Sequence, residues 1–323
     1  MSIPRAGLAH DQSGGDNERR CGTPHGVRLE STPAIVLRTR EYGESDKIVT
    51  FLSRTAGKFS GIAKGAKRSQ RRFPGTLEIF THVTLDYRRR PHSELAFLDR
   101  AVLLQPWPRL VASLERFAAA SHVVELADKL TVESEVGDDL YALVVATLAR
   151  LNAAEPGPAT LRLFELGALN ASGYRPELIV CRGCRSVLTA DRGPVRLIGS
   201  LGGLLCSRCR VRDEGGMLLS PAALGCLGFL QAALGPRAAP PGNGNGNGNG
   251  SGNGYIDGDG DAAEHDPFVA ESAVADQLAP RVAREVGAAL DLLLTPHLRA
   301  RLRSLELLGP ILEAHLSGGT EIP

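Results

Sequence analysis

From residue 33 onward the chain breaks into short apolar runs. Segments 34–37, 47–52, 58–63, 80–87 and 94–104 are rich in Val, Ile, Leu, Phe and Thr. Val83, Leu85 and Tyr87 alternate with Thr84 and Asp86, the period-2 pattern of a half-buried strand. Phe59, Gly61 and Ala63 alternate with Ser60 and Lys64 less cleanly. Turn formers separate the runs at Tyr42-Gly43-Glu44, Ala56-Gly57, Pro74-Gly75 and Pro91-His92. Five short strands within residues 31–105 predict a compact barrel. The leading candidate is an OB-fold, a five-stranded barrel that commonly binds oligonucleotides.

After Pro106-Trp107-Pro108 the period lengthens. Leu110, Leu114, Phe117, Ala118, Val124 and Leu126 recur at helical spacing, and 140–151 and 161–169 continue the pattern. Ser220-Pro221 opens a further helix to Leu234, with Ser as N-cap and Pro in the first turn. Helices are also expected over 274–294 and 296–316, the latter with Leu298, Leu302 and Leu305 on one face. The fold class is therefore α+β: a β-barrel over 31–105, then a mostly helical domain over 106–323. Residues 1–30 are polar and Gly-rich and are expected to be a disordered extension or the product of an upstream start codon. Residues 240–266, with an Asn-Gly repeat from Gly242 to Gly254, are expected to be a disordered insertion. Asp257, Asp259 and Asp261 start like a calcium loop, but Ala262 stands where Gly is needed and Phe268 where a bidentate Glu is needed.

Charge changes this picture more than composition does. The net charge is only +1, yet residues 31–100 carry 14 Lys and Arg against 7 Asp and Glu. Residues 181–216 carry 7 against 3, and the rest is neutral or acidic. Such asymmetry is the footprint of a polyanion-binding surface. Between Ile48 and Leu77 there are seven basic residues and no acid: Arg54, Lys58, Lys64, Lys67, Arg68, Arg71 and Arg72. Arg38, Arg40, Lys47, Arg88, Arg89 and Arg90 flank the run. Phosphate binding needs cations without matching acids, because each neutralised phosphate releases counterions. The plainer reading is a solvated charged face. Tyr42, Phe51, Phe59, Phe73 and Tyr87 are available for base stacking, although most are expected in the core. Candidate nucleic-acid contacts are Arg38, Arg40, Lys47, Lys58, Lys64, Lys67, Arg68, Arg71, Arg72, Arg88 and Arg89.

Cys181-x2-Cys184 and Cys206-x2-Cys209 are separated by 21 residues, the pattern of two knuckles around one tetrahedral zinc. Four thiolates leave no open position, so a single Zn2+ there would be structural, within a finger spanning 178–212. Disulfides and a redox Cys pair are the alternatives; a reducing compartment disfavours the first, and a redox site needs only one pair. Arg182, Arg185, Arg208 and Arg210 flank the thiols and would offset their charge or supply a secondary DNA contact. Cys21 and Cys226 are read as spectators, the latter as a small core residue.

No Ser/His/Asp arrangement, metal-binding His pair or nucleotide fingerprint is found, and Gly65-Ala66-Lys67-Arg68-Ser69 does not fit a phosphate loop. The expectation is a protein that is not an enzyme. No apolar run is long enough to span a membrane and no secretory leader is evident, so the cytoplasm, with nucleoid association, is the expected location.

Taken together, the motifs resemble the bacterial RecO family of recombination mediators, from about Pro33 to Leu308. The resemblance is carried by residues 34–49 (AIVLRTREYGESDKIV), by Gly57-Lys58 and by Ala63-Lys64-Gly65-Ala66-Lys67. It continues through residues 173–178 (GYRPEL), Gly202-Gly203-Leu204-Leu205-Cys206 and Leu302-Arg303-Ser304-Leu305. It implies an N-terminal OB-fold, a helical body and a zinc finger set into it. It further implies binding of single- and double-stranded DNA, annealing of complementary strands, and help in loading RecA onto strands covered by single-strand-binding protein. The implied partners are RecR and the acidic C-terminal tail of single-strand-binding protein. The alternative is a zinc-ribbon interaction module whose basic face binds an acidic peptide.

Overall fold

The computed structural model describes residues 28–91, 93–133, 137–188, 193–209, 215–235, 279–298 and 300–316. The extension expected over 1–30 lies outside them except for its last three residues, of which Leu29 and Glu30 already belong to the first strand. The Asn-Gly insertion, the Asp257–Asp261 stretch, Cys21 and Arg210 also lie outside them.

Five strands close the N-terminal barrel: β1 (Leu29–Tyr42), β2 (Asp46–Ser53), β3 (Gly57–Ala63), β4 (His82–Arg88) and β5 (Leu95–Gln105). Their order is β1-β2-β3-β5-β4, with β4 returning to β1. All pairs are antiparallel except β3 with β5. Val36, Val49, Phe51, Phe59, Leu85, Tyr87 and Leu98 fill the interior. In β3 and β4 the buried positions alternate as the pattern predicts. Ala34 to Leu37 do not alternate, because β1 is buried on both faces. Ala34 and Val36 point into the barrel, while Ile35 and Leu37 join Leu52, Phe80 and Trp107 against the helical domain. Gly61 is required by the parallel closure: a Cβ there would collide with Leu98 Cδ2 and lie 3.2 Å from the Ala96 carbonyl oxygen.

The strand expected from residue 80 begins at His82. Phe80 instead takes a left-handed backbone, φ 71°, and donates its N–H to the Val36 carbonyl at 3.1 Å. Its ring meets Phe117 edge-on at 5.5 Å, so burial against the first helix holds the irregular conformation.

The helical domain contains α1 (Leu114–Leu130), α2 (Asp138–Ala153), α3 (Pro158–Ala171), α4 (Pro221–Ala233), α5 (Pro280–Leu294) and α6 (Ser304–Leu316). A small sheet of β6 (Val195–Ile198), β7 (Gly203–Leu205) and β8 (Met217–Leu219), in the order β7-β6-β8, sits between α3 and α4 in the chain. Ser113 and Ser220 cap α1 and α4 by accepting the N–H groups of Arg116 and Ala223. Every residue of α3 from Ala159 to Leu169 is buried, which makes it the central helix.

The helix expected over 296–316 is not continuous. Residues 295–297 form a 3-10 turn, and α6 starts only at Ser304. Glu125 of α1 decides that start. Its carboxylate accepts the backbone N–H groups of Arg303 at 3.0 Å and Ser304 at 2.8 Å, satisfying donors that a helix start leaves unpaired. Leu302 and Leu308 still reach the core. The helix expected from 274 is observed from Pro280, and 274–278 lie outside the described residues.

Candidate nucleic-acid interface and metal centre

The barrel's cations gather at its two ends. At one end, the β1–β2 turn meets the loop that follows β3, where the Lys67 N–H bonds the Ser45 carbonyl at 3.0 Å. Lys47, Lys64, Lys67, Arg68, Arg71 and Arg72 lie here. At the other end the β2–β3 turn meets the β4–β5 connection, bringing Arg54, Arg88, Arg89 and Arg90 together; Arg89 Nη2 reaches the Ala56 carbonyl at 3.5 Å. Arg38 and Arg40 stand exposed on β1, paired in register with Thr50 and Ile48.

The run from Ile48 to Leu77 is free of acids in sequence but not in space. Lys47 pairs with Glu78 at 2.6 Å, Lys64 with Asp46 at 2.8 Å and Lys67 with Glu41 at 2.8 Å. Arg54 engages Asp138 through both Nε and Nη2, and Arg88 pairs with Asp99 at 2.7 Å. Lys58 is nearly buried and donates to both the carbonyl and the carboxylate of Asp128 on α1, so it fastens the barrel to the helices. Arg38 approaches the same carboxylate at 4.0 Å. These partners shape the local titration. The Gly65 N–H and Lys64 hold the Asp46 carboxyl below its ordinary value, Lys67 does the same for Glu41, and Asp46 raises Lys64.

Arg40, Arg68 and Arg71 are exposed and have no acid in ion-pair range among the described residues. Arg72 folds back onto the Lys64 carbonyl and the Phe73 ring. Arg89 lies over Phe59 at 5.0 Å and Tyr87 at 5.8 Å. Phe51, Phe59, Phe73 and Tyr87 are core residues, and burial with the Glu30 hydrogen bond pushes the Tyr87 hydroxyl up to about 12. Tyr42 is exposed, with Lys64 Nζ 6.0 Å from its ring centre.

The four cysteines converge. Their sulfurs all lie within 4.8 Å of one another, and Cys184 Sγ is 3.8 Å from Cys206 Sγ. A tetrahedron with metal–sulfur arms of about 2.3 Å has edges of about 3.8 Å, so the set fits one tetrahedral ion. The first knuckle turns at Cys181 with the Arg185 N–H on its carbonyl, and Arg185 itself is left-handed, φ 62°. Gly183 is obligatory between the cysteines: a Cβ would sit 2.9 Å from Cys209 Sγ. The Cys206 N–H donates to Cys181 Sγ at 3.4 Å, which favours thiolate. Ser186 draws Cys184 down to about 6, while the neighbouring thiols push Cys209 up to about 12. Four thiols crowded at one point cannot all ionise without a cation, and a metal ion supplies one. No disulfide links them, and Cys226 is buried in the core as expected.

One polar cluster was not visible in the sequence. Inside the helical domain, His122 Nε2 lies 3.0 Å from Glu165 Oε1, and Arg162 Nη1 donates to Glu165 Oε2 at 2.5 Å. His122 Nδ1 meets the Ser304 hydroxyl at 3.3 Å. Gly287 of α5 leaves room for the Arg162 guanidinium, about 3.4 Å from where a Cβ would stand. Burial pushes Glu165 up, but Arg162 and His122 outweigh it and the carboxyl ends below its ordinary value. The cluster is buried and its groups answer one another, so it is a structural clasp joining α1, α3 and α6.

A family model for the N terminus of recombination protein O matches residues 27–107, and one for its C terminus matches residues 111–239. The DNA repair protein RecO of Anaeromyxobacter dehalogenans strain 2CP-C is 41% identical over 214 residues, covering 64% of this chain and 84% of the relative. That of Anaeromyxobacter sp. strain K is 36% identical over 283 residues, covering 87% and 97%. That of Geobacter sulfurreducens is 35% identical over 185 residues, covering 57% and 73%.

Proposed function

Because this chain belongs to the RecO family of DNA repair proteins, whose members are DNA-binding recombination mediators rather than enzymes, we propose that it binds single- and double-stranded DNA through the barrel and anneals complementary strands. In this reading it also helps load RecA onto strands covered by single-strand-binding protein, with RecR and the acidic tail of that protein as partners. The observation that carries the DNA-binding role is the acid-free trio Arg40, Arg68 and Arg71, exposed on a barrel whose other cations are mostly neutralised.

The strand order β1-β2-β3-β5-β4, closed by the parallel β3–β5 pair, supports reading the barrel as an OB-fold. The same reading takes 31–105 as the barrel domain, although β1 itself starts at Leu29, and 106–323 as the helical domain with the finger over 178–212. Cys181, Cys184, Cys206 and Cys209 would hold one Zn2+, which supplies cohesion to the finger and no reaction chemistry. Metal analysis should find about one ion per chain, and Cys206→Ser should lower the melting temperature. Cytoplasmic, nucleoid-associated residence fits this role; no helix among the described residues is long and apolar enough to cross a membrane.

Annealing by this route requires no nucleotide hydrolysis. Arginines neutralise phosphates on two strands and lower their repulsion while bases pair. The test is a salt titration of single-strand binding together with an annealing assay. Removing Arg68 and Arg71 should lower the salt slope by about 0.7 for each phosphate left without its cation and slow annealing. An unchanged slope would sink the assignment.

A further inference from the structure

The loop between β3 and β4 contains a groove whose lining goes beyond the cations that would hold phosphate. It is open, about 220 Å3 in volume, and runs between the 3-10 turn Ala66–Arg68 and the following residues up to Glu78. Its apolar lining includes Ala66 and the buried Phe73 and Leu77. Its polar lining is Lys47, Lys67, Ser69, Gln70 and Glu78, with the two lysines held by Glu78 and Glu41. The walls are pinned to the barrel. Ala101 donates its N–H to the Arg72 carbonyl at 3.0 Å, and the Thr39 hydroxyl bonds the Leu77 carbonyl. Lys47 anchors Glu78. The groove is therefore preformed rather than assembled on binding, which lowers the ordering cost of a ligand.

Three features define the occupant. The volume falls below the range of about 300–1,000 Å3 typical for drug-sized ligands, which leaves room for one small ring system. Apolar side chains beside donors and acceptors in one small groove suit a planar heterocycle with polar edges. The Gln70 side-chain amide is exposed and has no hydrogen-bond partner among the described residues, so it offers one donor and one acceptor side by side. Arg68 and Arg71, which no acid answers among the described residues, flank the lining residues Ser69 and Gln70 in the chain.

The geometry points to a pocket for one unpaired nucleobase of single-stranded DNA, with Gln70 reading its edge. A paired base has its Watson–Crick edge occupied and both faces stacked, so duplex DNA cannot insert a base into the pocket. The loop then does two jobs: arginines hold the backbone of any strand, and the groove favours a strand whose bases are still unpaired. This rests on the DNA-binding reading proposed above.

The test compares the full-length protein on a dT oligonucleotide of about 20 nucleotides, on an all-abasic strand of equal length, and on a duplex. The wild type should bind the base-bearing strand about tenfold more tightly than the abasic strand. Gln70→Ala should shrink that ratio several-fold and leave abasic and duplex binding unchanged. Arg71→Ala should weaken base-bearing and abasic strands alike. Equal binding of dT and abasic strands by the wild type overturns the pocket while leaving phosphate binding intact. A preference for bases that survives Gln70→Ala moves base recognition away from this groove and overturns the assignment too. Failure to bind any strand would instead defeat the DNA-binding reading itself.

Discussion

The same residue types do opposite work at the barrel end and at the centre of the helical domain. His122, Arg162 and Glu165 are buried and answer one another's charges. Arg40, Arg68 and Arg71 are exposed and unanswered. Between these extremes stand Lys47, Lys64 and Lys67, exposed or half-buried but each held by a carboxylate. Burial decides the outcome. A buried charge that loses its partner keeps the full penalty of desolvation. An exposed charge that loses its partner is re-solvated and becomes available to a ligand. Stability should therefore track the interior group and DNA affinity the exterior one.

The largest expected effect breaks the interior group. Glu165→Ala strands Arg162 and His122 and should cost about 3–5 kcal/mol in a urea melt. Arg71→Ala should stay within about 0.5 kcal/mol of wild type in the same melt. Comparable losses in the two variants would contradict the division.

Acid should act on the interior next. The Glu165 carboxyl sits below its ordinary value of 4.5, and Glu125 is shifted the same way by the N–H groups of Ser304 and Arg303 despite its burial. A depressed carboxyl stabilises the fold above the unfolded value and loses that contribution as pH falls through the folded value. Melting temperature should thus hold at neutral pH and drop below about pH 4.5. Glu165→Gln should start lower and fall less steeply there. Parallel curves for the two proteins would remove Glu165 from the account.

A third experiment grades the exterior. Arg68→Ala and Arg71→Ala should each lower the single-strand salt slope by about 0.7. Lys64→Ala and Lys67→Ala should lower it less, because those lysines already spend time on Asp46 and Glu41. Equal slopes across the four variants would mean that the ion pairs dissolve on binding.

The interior clasp and the acid partners are the parts that sequence reading does not reach. The two Cys-x2-Cys knuckles are legible because their ligands are close in the chain and chemically narrow. The alternation of β3 and β4 is legible because one face of each is buried. β1 blurs at Ala34 to Leu37, where both faces are buried. The break before Ser304 is hidden because Glu125, which sets it, lies on another helix. Distance in the chain also hides the acids. The stretch from Ile48 to Leu77 contains none, yet strand pairing and domain packing bring Glu41, Asp46, Asp128 and Asp138 against its cations. Five of its seven basic residues thereby acquire partners that composition cannot show: four bind carboxylates, and Arg72 binds a carbonyl. Only Arg68 and Arg71 in that stretch keep the availability that the whole run promised.

The smallest effect is the most discriminating. Glu41→Gln leaves the backbone and the size of the side chain unchanged but removes the charge that holds Lys67. The pair is exposed, so folding stability should hardly move. Lys67 holds the Glu41 carboxyl below its ordinary value, so the carboxylate that restrains this lysine is charged at neutral pH. If the carboxylate competes with phosphate, its loss should tighten single-strand binding at low salt and steepen the salt slope by up to about 0.7, the value of one further neutralised phosphate. The gain should fade as salt rises, since screening weakens both competitors. If Glu41 instead aims Lys67 at the strand, the variant should bind more weakly, and the division between answered and unanswered cations would fail at the position where it is most finely balanced.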